Sequence, residues 1–354
     1  MPVIQPPRMS PAQANFRLAQ DQYDFPALMA KGDHHYARGE LRAAGSFYGM
    51  AVSVAQSGRP ADGREAARAA QAMQDIQQQF VRYLVTSLAE AGHPQQDWHP
   101  RFANSLAMMV GAAQRAPESR SFPAMPNVYY YPGLPHVEFA DTHQFEWREA
   151  VEARTENIAE EARKLLAGSG TFKPYVEAEA DRPQGDMHGM LGNDDWSSLD
   201  LIEKGEPVAE HIAHAPVAYQ TITREVPVCT ISNRAPTLLL SLLKAGKKIP
   251  PHHGMLNPRY ICHLPLIVPG NGALRLGSQK REWRKGELIA FDDTIEHEAW
   301  NNAGKDRLVL LFDVWRPELE PIEHAQIAAL FAAVDSAGRP DKSPTVCSIF
   351  DQRP

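Results

Sequence analysis

Between Ile249 and Pro317 the chain sets two histidines and an arginine where they could act together. The stretch reads IPPHHGMLNPRYICHLPLIVP, then a turn-rich middle, then WRKGELIAFDDTIEHEAWNNAGKDRLVLLFDVWRP. His252 and His297 lie on or beside apolar segments of strand length, and Arg307 follows the second histidine by ten residues. Imidazoles on a rigid sheet hold a transition metal, and a guanidinium fork grips a carboxylate through two parallel hydrogen bonds. Such a set suits a ferrous centre that binds a 2-oxo acid, with the cation on the acid's distal carboxylate.

The strand Arg259–Val268 adds to this. Period-two alternation puts Arg259, Ile261 and His263 on one face and Tyr260, Cys262, Leu264 and Leu266 on the other. That pattern fits a barrel wall with a polar, ligand-holding interior. It also fits an Arg259 paired with Asp292 or Asp293 and a satisfied core His263. Downstream, Asn301–Gly304 is a turn signal between two apolar runs, so the flanks are expected to pair as a hairpin that brings Arg307 beside His297.

The elements that must carry these residues are short apolar segments at Ser198–Ile202, Thr237–Leu243, Arg259–Val268, Ala273–Leu276, Glu287–Phe291 and Leu308–Trp315. Turn signals such as PGNGA, RKGE and NNAGKD separate them, which argues for an all-β barrel or sandwich. A helix is expected over Gln144–Leu166, followed by a polar Gly/Asp-rich loop, QGDMHGMLGNDDWSS. Residues 1–20 read as disordered or extended. Residues 21–95 read as helix, with apolar residues at three- and four-residue spacing. Gly32, Ala44, Tyr48 and Ala51 fall at the small and aromatic packing positions of a tetratricopeptide-like hairpin, without a second copy at the expected spacing. This region serves either as a helical buttress or as a peptide-binding groove, and a homodimer or protein contact through it is open. Residues 96–140 are Pro- and aromatic-rich and read as a linker packed on a surface, 141–320 as the strand-rich domain, and 321–354 as a C-terminal helix and tail.

Composition narrows the function classes. The 354 residues are 43% hydrophobic and 22% charged, ordinary for a globular chain. A net charge of −7 gives no reason to expect nucleic acid or an anionic membrane as partner. The longest apolar runs, TLLLSLL and LVLLFDVW, have the length of buried strands, and the first residues lack the pattern of a signal peptide. Cys229, Cys262 and Cys347 make no disulfide framework, so a reduced, cytoplasmic protein is expected.

From about Tyr129 to Leu319 the chain resembles the aspartyl/asparaginyl β-hydroxylase family of iron(II)- and 2-oxoglutarate-dependent dioxygenases. The resemblance rests on YYPGLPHVEF, on Ser241 to Gly254 ending in PHHG, on N-x-R-x-x-C-H-L-P-L-I-V-P from Asn257, on W-x-x-G-x-x-x-x-F-D-D-x-x-x-H-E-x-W from Trp283, and on R-x-x-L-x-x-D-x-W-x-P-E-L from Arg307. It implies an α+β chain whose C-terminal domain is a double-stranded β-helix, or jelly roll. His252 and His297 would ligate Fe(II), and Arg307 with Ser241 would hold 2-oxoglutarate. His263 would lie near the other end of that co-substrate. O2 would be the second co-substrate and ascorbate the reductant in vitro. The phase of the PHHG turn makes His252 rather than His253 the inward ligand. Gly254 stands where related oxygenases have a metal-binding carboxylate, so a two-histidine centre is implied, with Asp292, Asp293 and Glu296 as anchors and Asp293 as the stand-in carboxylate to consider. Asn257 and Arg259 are candidate substrate contacts. Ile261 replaces a second arginine of vertebrate-type members, which weakens the case for an acidic substrate.

Three function classes follow. The first hydroxylates an aspartyl or asparaginyl residue of a peptide or protein, or a related small acid. The second hydroxylates a lipid acyl chain. The third is a non-catalytic jelly-roll binding module.

Overall fold

The computed structural model describes residues 9–168, 172–178 and 189–337. The N-terminal eight residues, part of the Gly/Asp-rich loop and the tail that holds Cys347 lie outside them. The described residues form two compact units, residues 9–97 with 178 and 332–337, and residues 98–168, 172–177 and 189–331.

The first unit is helical: α1 (Pro11–Gln20), α2 (Phe25–Ala37), α3 (Leu41–Gln56) and α4 (Gly63–Glu90). Residues 11–20, expected to be extended or disordered, are helix because Ser10 and Gln13 form a reciprocal capping box with Pro11 at the first turn. Asp24 caps α2 by accepting from the Ala27 N–H, and Asp62 caps α4 by accepting from the Arg64 and Glu65 N–H groups. Helices α2 and α3 approach closely at Gly32. A Cβ there would stand 2.5 Å from the Tyr48 ring, whose hydroxyl donates to Asp33 at 2.6 Å. Ala44, Tyr48 and Ala51 are all buried at that contact.

The second unit begins with α5 (Pro100–Met109), a helix inside the stretch expected to be linker. Tyr129 and Tyr131 of the same stretch are buried at 1% and 0% exposure, so it is part of the core. The expected helix over Gln144–Leu166 is broken into α6 (Arg148–Glu152) and α7 (Thr155–Ala167). Strands β1 (Lys173–Pro174), β2 (Trp196–Glu203) and β3 (Glu206–Pro207) precede two helices that the strand-dominated reading missed, α8 (Ala209–Ile212) and α9 (Pro216–Glu225). Then come β4 (Leu238–Leu243), β5 (Lys247–His252), β6 (Arg259–Ile267), β7 (Gly272–Leu276), β8 (Gln279–Glu282), β9 (Ile289–Phe291), β10 (His297–Asn301), β11 (Arg307–Trp315) and α10 (Pro321–Ser336).

These strands form two antiparallel sheets. One has the order β1-β2-β4-β11-β6-β9, with β3 on β2, and the other has the order β5-β10-β7-β8. From β4 to β11 the chain passes between the sheets so that β4, β11, β6 and β9 neighbour one another in one sheet and β5, β10, β7 and β8 in the other. That is the winding of a jelly roll. The long strands of the larger sheet are buried on both faces. Tyr260, Cys262, Leu264, Leu308, Leu310 and Phe312 pack in a cluster with Ile158, Ala162 and Ile222 of the helices, while Ile261, Val309 and Leu311 face an inner cluster with Phe291 and Leu274. The alternation expected for Arg259–Val268 is therefore present.

The expected hairpin about Asn301–Gly304 does not form. β10 pairs with β5 and β7, whereas β11 pairs with β4 and β6. The turn is a corner between sheets, pinned by the Asn301 side chain, which donates to the carbonyls of Leu243, Lys244 and Lys305.

Candidate active site

His252 ends β5 and His297 begins β10, and the two are direct cross-strand partners. Their ring centroids are 4.0 Å apart. The His252 Nδ1 lies 2.8 Å from the Pro250 carbonyl and the His297 Nδ1 lies 3.0 Å from the Ile295 carbonyl. A carbonyl oxygen only accepts, so each Nδ1 carries the proton and each Nε2 carries the lone pair. Two Nε2 lone pairs on one side of the smaller sheet are thereby oriented by backbone groups, an arrangement also common in metal-binding histidines. Burial, and then the neighbouring His252, push the His297 imidazole well below the usual histidine range.

Arg307 opens β11 on the inner face of the opposite sheet. It is 2% exposed, and neither its Nε nor its Nη1 has a hydrogen-bond partner among the described residues. Its guanidinium lies 4.6 Å from the centroid of the Trp283 ring, a contact that shields it but supplies no hydrogen-bond acceptor. Burial alone brings it down to about 9. A guanidinium so placed is costly to the empty fold and suited to an anion that arrives from outside.

Ser241 lies on the adjacent strand, opposite Val309, and faces inward at 2% exposure. The Trp196 indole N–H donates to its oxygen at 3.1 Å, leaving the serine its own O–H to donate. His263 stands on β6 opposite Leu311 and is 8% exposed, with Nδ1 unpartnered among the described residues. Burial first, and then the charge of Arg307, bring His263 down to about 3, so its ring is neutral. Phe291 sits between the groups, 5.0 Å from His263 and 5.7 Å from His297 by ring centroid.

Two expected substrate contacts are otherwise engaged. Arg259 is 5% exposed and paired with Asp313 in a close contact and with Asp293 at 3.5 Å. This is the carboxylate pairing left open by the sequence, so its charge is already answered inside the chain. The Asn257 side chain accepts from the Tyr131 N–H at 2.6 Å and donates to the Tyr131 carbonyl at 2.8 Å, so both of its functions are consumed by backbone. His253 is a rim residue whose Nδ1 meets the Thr294 carbonyl at 3.0 Å.

The three downstream acids are anchors. Asp292 receives Arg316 at 3.1 Å and the Thr294 hydroxyl at 2.5 Å, and Glu296 pairs with Arg275 at 2.9 Å. The Asp293 carboxylate occupies the space that a Cβ on Gly254 would fill. Burial pushes Asp293 up to about 7, opposed by Arg259 and reinforced by Asp292 and Asp313. Among the described residues no group of three His, Cys, Asp or Glu side chains is arranged to hold a metal.

Trp196, Trp283, Phe291 and Asp313 were not singled out by sequence reasoning as parts of the site. Trp283 and Asp313 do stand in the family-like motifs, but their contacts with Arg307 and Arg259 join strands of distant sequence.

Residues 152–317 match the family model of aspartyl/asparaginyl beta-hydroxylase. The human aspartyl/asparaginyl beta-hydroxylase is 32% identical over 137 residues, 38% of this chain and 18% of that protein, so the chain spans under a fifth of that relative's length. The ornithine lipid ester-linked acyl 2-hydroxylase of Rhizobium tropici is 27% identical over 207 residues, 58% of this chain and 69% of that protein. Among solved structures, AviO1 from Streptomyces viridochromogenes Tue57 superposes with a TM-score of 0.30 at 18% identity, covering 52% of this chain and 92% of that one. The imidazole pair, Ser241, His263 and Arg307 all lie inside residues 152–317, the segment that matches the aspartyl/asparaginyl beta-hydroxylase family model.

Proposed function

We propose that the protein is an iron(II)- and 2-oxoglutarate-dependent dioxygenase that hydroxylates an unactivated C–H, on an aspartyl or asparaginyl residue or a related small molecule. The observation that carries this reading is Arg307, a buried guanidinium with two nitrogens unpartnered among the described residues, across the barrel from two imidazoles with matched tautomers. The donor set fits the implied centre. His252 and His297 would hold iron through Nε2, and Gly254 adds no carboxylate to that pair. Iron(II) with 2-oxoglutarate and dioxygen would supply the oxidation, the oxo acid leaving as succinate and carbon dioxide while the substrate C–H becomes C–OH.

The chain's own residues position and desolvate. Arg307 would take the distal carboxylate, and the Ser241 hydroxyl, its oxygen already committed to Trp196, would donate a second hydrogen bond to it. His263 stays neutral, so it offers a hydrogen-bonding nitrogen without a second positive charge. The rings of Phe291, Trp283 and Trp196 stand against His263 and His297, Arg307, and His252 respectively, and such apolar surroundings strengthen charge–dipole contacts made there.

Purified protein with iron(II), ascorbate, 2-oxoglutarate and candidate substrates should release succinate above the iron-free control. Equal succinate with and without iron, across the substrates, overturns the reading. A lipid acyl chain is the second substrate class, favoured by the apolar Ile261 on the inner face of β6 and by likeness to the Rhizobium tropici enzyme.

A further inference from the structure

We propose, resting on the dioxygenase reading above, that Trp283 is a further binding residue for the oxo acid, its indole N–H donating to the same carboxylate that Arg307 receives. Trp283 stands between β8 and β9 and is 4% exposed. Its Nε1 is buried without a hydrogen-bond partner among the described residues, and so are Nε and Nη1 of Arg307. The two side chains are neighbours, the guanidinium 4.6 Å from the centroid of the indole ring. Three unpartnered nitrogens therefore belong to one contact. The indole of Trp196 differs, because its N–H is already engaged with Ser241 at 3.1 Å.

All three nitrogens are donors, and none can turn acceptor. An indole nitrogen keeps its hydrogen, and Arg307, even at about 9, is charged at neutral pH. No tautomer lets one satisfy another, so what completes them has to bring lone pairs. A native fold seldom buries such atoms unpaired unless something else completes them. A carboxylate only accepts and offers about four lone-pair sites, enough for a guanidinium fork and two further donors. Ser241 is one of those donors in the reading above, and Trp283 is the other. Packing fixes the ring for this. A Cβ on Gly272 would stand 3.4 Å from Cζ3 of Trp283, so that edge of the indole lies against the backbone of β7. Cζ3 is para to the ring carbon that carries Nε1, which turns the N–H edge away from that wall.

The experiment is a titration of 2-oxoglutarate into the full-length, iron(II)-loaded protein without oxygen, read by calorimetry so that no turnover enters. Two variants separate the N–H from the ring. Trp283→Phe removes the N–H and part of the ring, whereas Trp283→3-benzothienylalanine keeps the shape and the stacking face and lacks the N–H. A hydrogen bond to a charged acceptor is worth about tenfold or more in affinity. The benzothienyl variant should therefore bind 2-oxoglutarate at least about fivefold more weakly than wild type, with a urea midpoint no lower. Affinity within that margin overturns the proposal whatever Trp283→Phe does, because the ring then acts by packing or its N–H is met by water. A weaker affinity that comes with a lower midpoint is a folding effect and overturns it too. Wild-type protein that binds no 2-oxoglutarate refutes the dioxygenase reading and this inference with it, whereas wild-type binding that the benzothienyl variant matches refutes the inference alone.

Discussion

Arg307 and Arg259 stand on neighbouring strands, face the same interior, and are 2% and 5% exposed, yet their surroundings are opposite. Arg259 is clasped by Asp313 and Asp293, and those carboxylates hold its guanidinium above the ordinary range against the desolvation that would lower it. Arg307 has an indole face and, among the described residues, no carboxylate partner, and burial lowers it to about 9. The difference teaches how to sort buried cations. One whose charge is met inside the chain maintains the fold. One whose charge is left unmet is held at a cost, and the cost is recovered when an anion binds.

Removing Arg307 should have the largest effect. Truncating one partner of a buried charge pair costs about 3–5 kcal/mol, so Arg307→Ala should weaken 2-oxoglutarate binding by about 10²–10⁴-fold and abolish succinate release at ordinary co-substrate levels. A variant with wild-type affinity would remove Arg307 from the anion site. Stability should then separate the two arginines. Arg259→Met strands two carboxylates and should destabilise the fold by about 3–5 kcal/mol, seen as a lower denaturant midpoint. Arg307→Met removes a charge that has no ionic partner among the described residues, so the ligand-free protein should be unchanged or more stable by up to about 3 kcal/mol, the lost contact with Trp283 limiting the gain. The same variant should lose the rise in melting temperature that 2-oxoglutarate gives the wild type. If both substitutions destabilise equally, the contrast fails.

Much of this site was legible in the sequence because side-chain direction in a strand is a local property. Alternation alone turned Arg259, Ile261 and His263 inward, and the structure agrees. Pairing is not local. The turn after Asn301 looked like a hairpin because both flanks are apolar, but the signal tells only that the chain bends, and here it bends from one sheet into the other. Of the two partners of Arg259, Asp293 was among the carboxylates that the sequence offered, whereas Asp313, 54 positions away, was unreadable for the same reason. β5 escaped notice because KKIPPH carries two prolines and exposed lysines, the marks of an edge strand, which is its place in the smaller sheet. α5 was hidden by the prolines and aromatics around it, although His99 and Pro100 together supply an N-cap and a first-turn proline.

The smallest expected effect is on pH dependence, and it should carry opposite signs at the two ends of the interior. His263, beside Arg307, is brought down to about 3 from an ordinary 6.5. The unfolded chain therefore binds a proton below pH 6.5 that the folded chain refuses, so the stability associated with the neutral ring is present above 6.5 and lost as pH falls toward 3. Asp293, beside Arg259, is raised to about 7 from 3.8. Here the folded chain holds a proton that the unfolded chain has released, so the associated stability is complete below about 3.8 and lost as pH rises through 7. Urea midpoints measured from pH 4 to pH 8 for the metal-free wild type, His263→Leu and Asp293→Asn should expose both. Subtracting the leucine variant should leave a difference curve that climbs with pH up to 6.5, and subtracting the asparagine variant one that descends toward 7. Two curves of the same sign would mean that one of these groups is hydrated in solution, and the electrostatic distinction between the Arg307 and Arg259 ends would have to be redrawn around whichever curve departs from its expected direction.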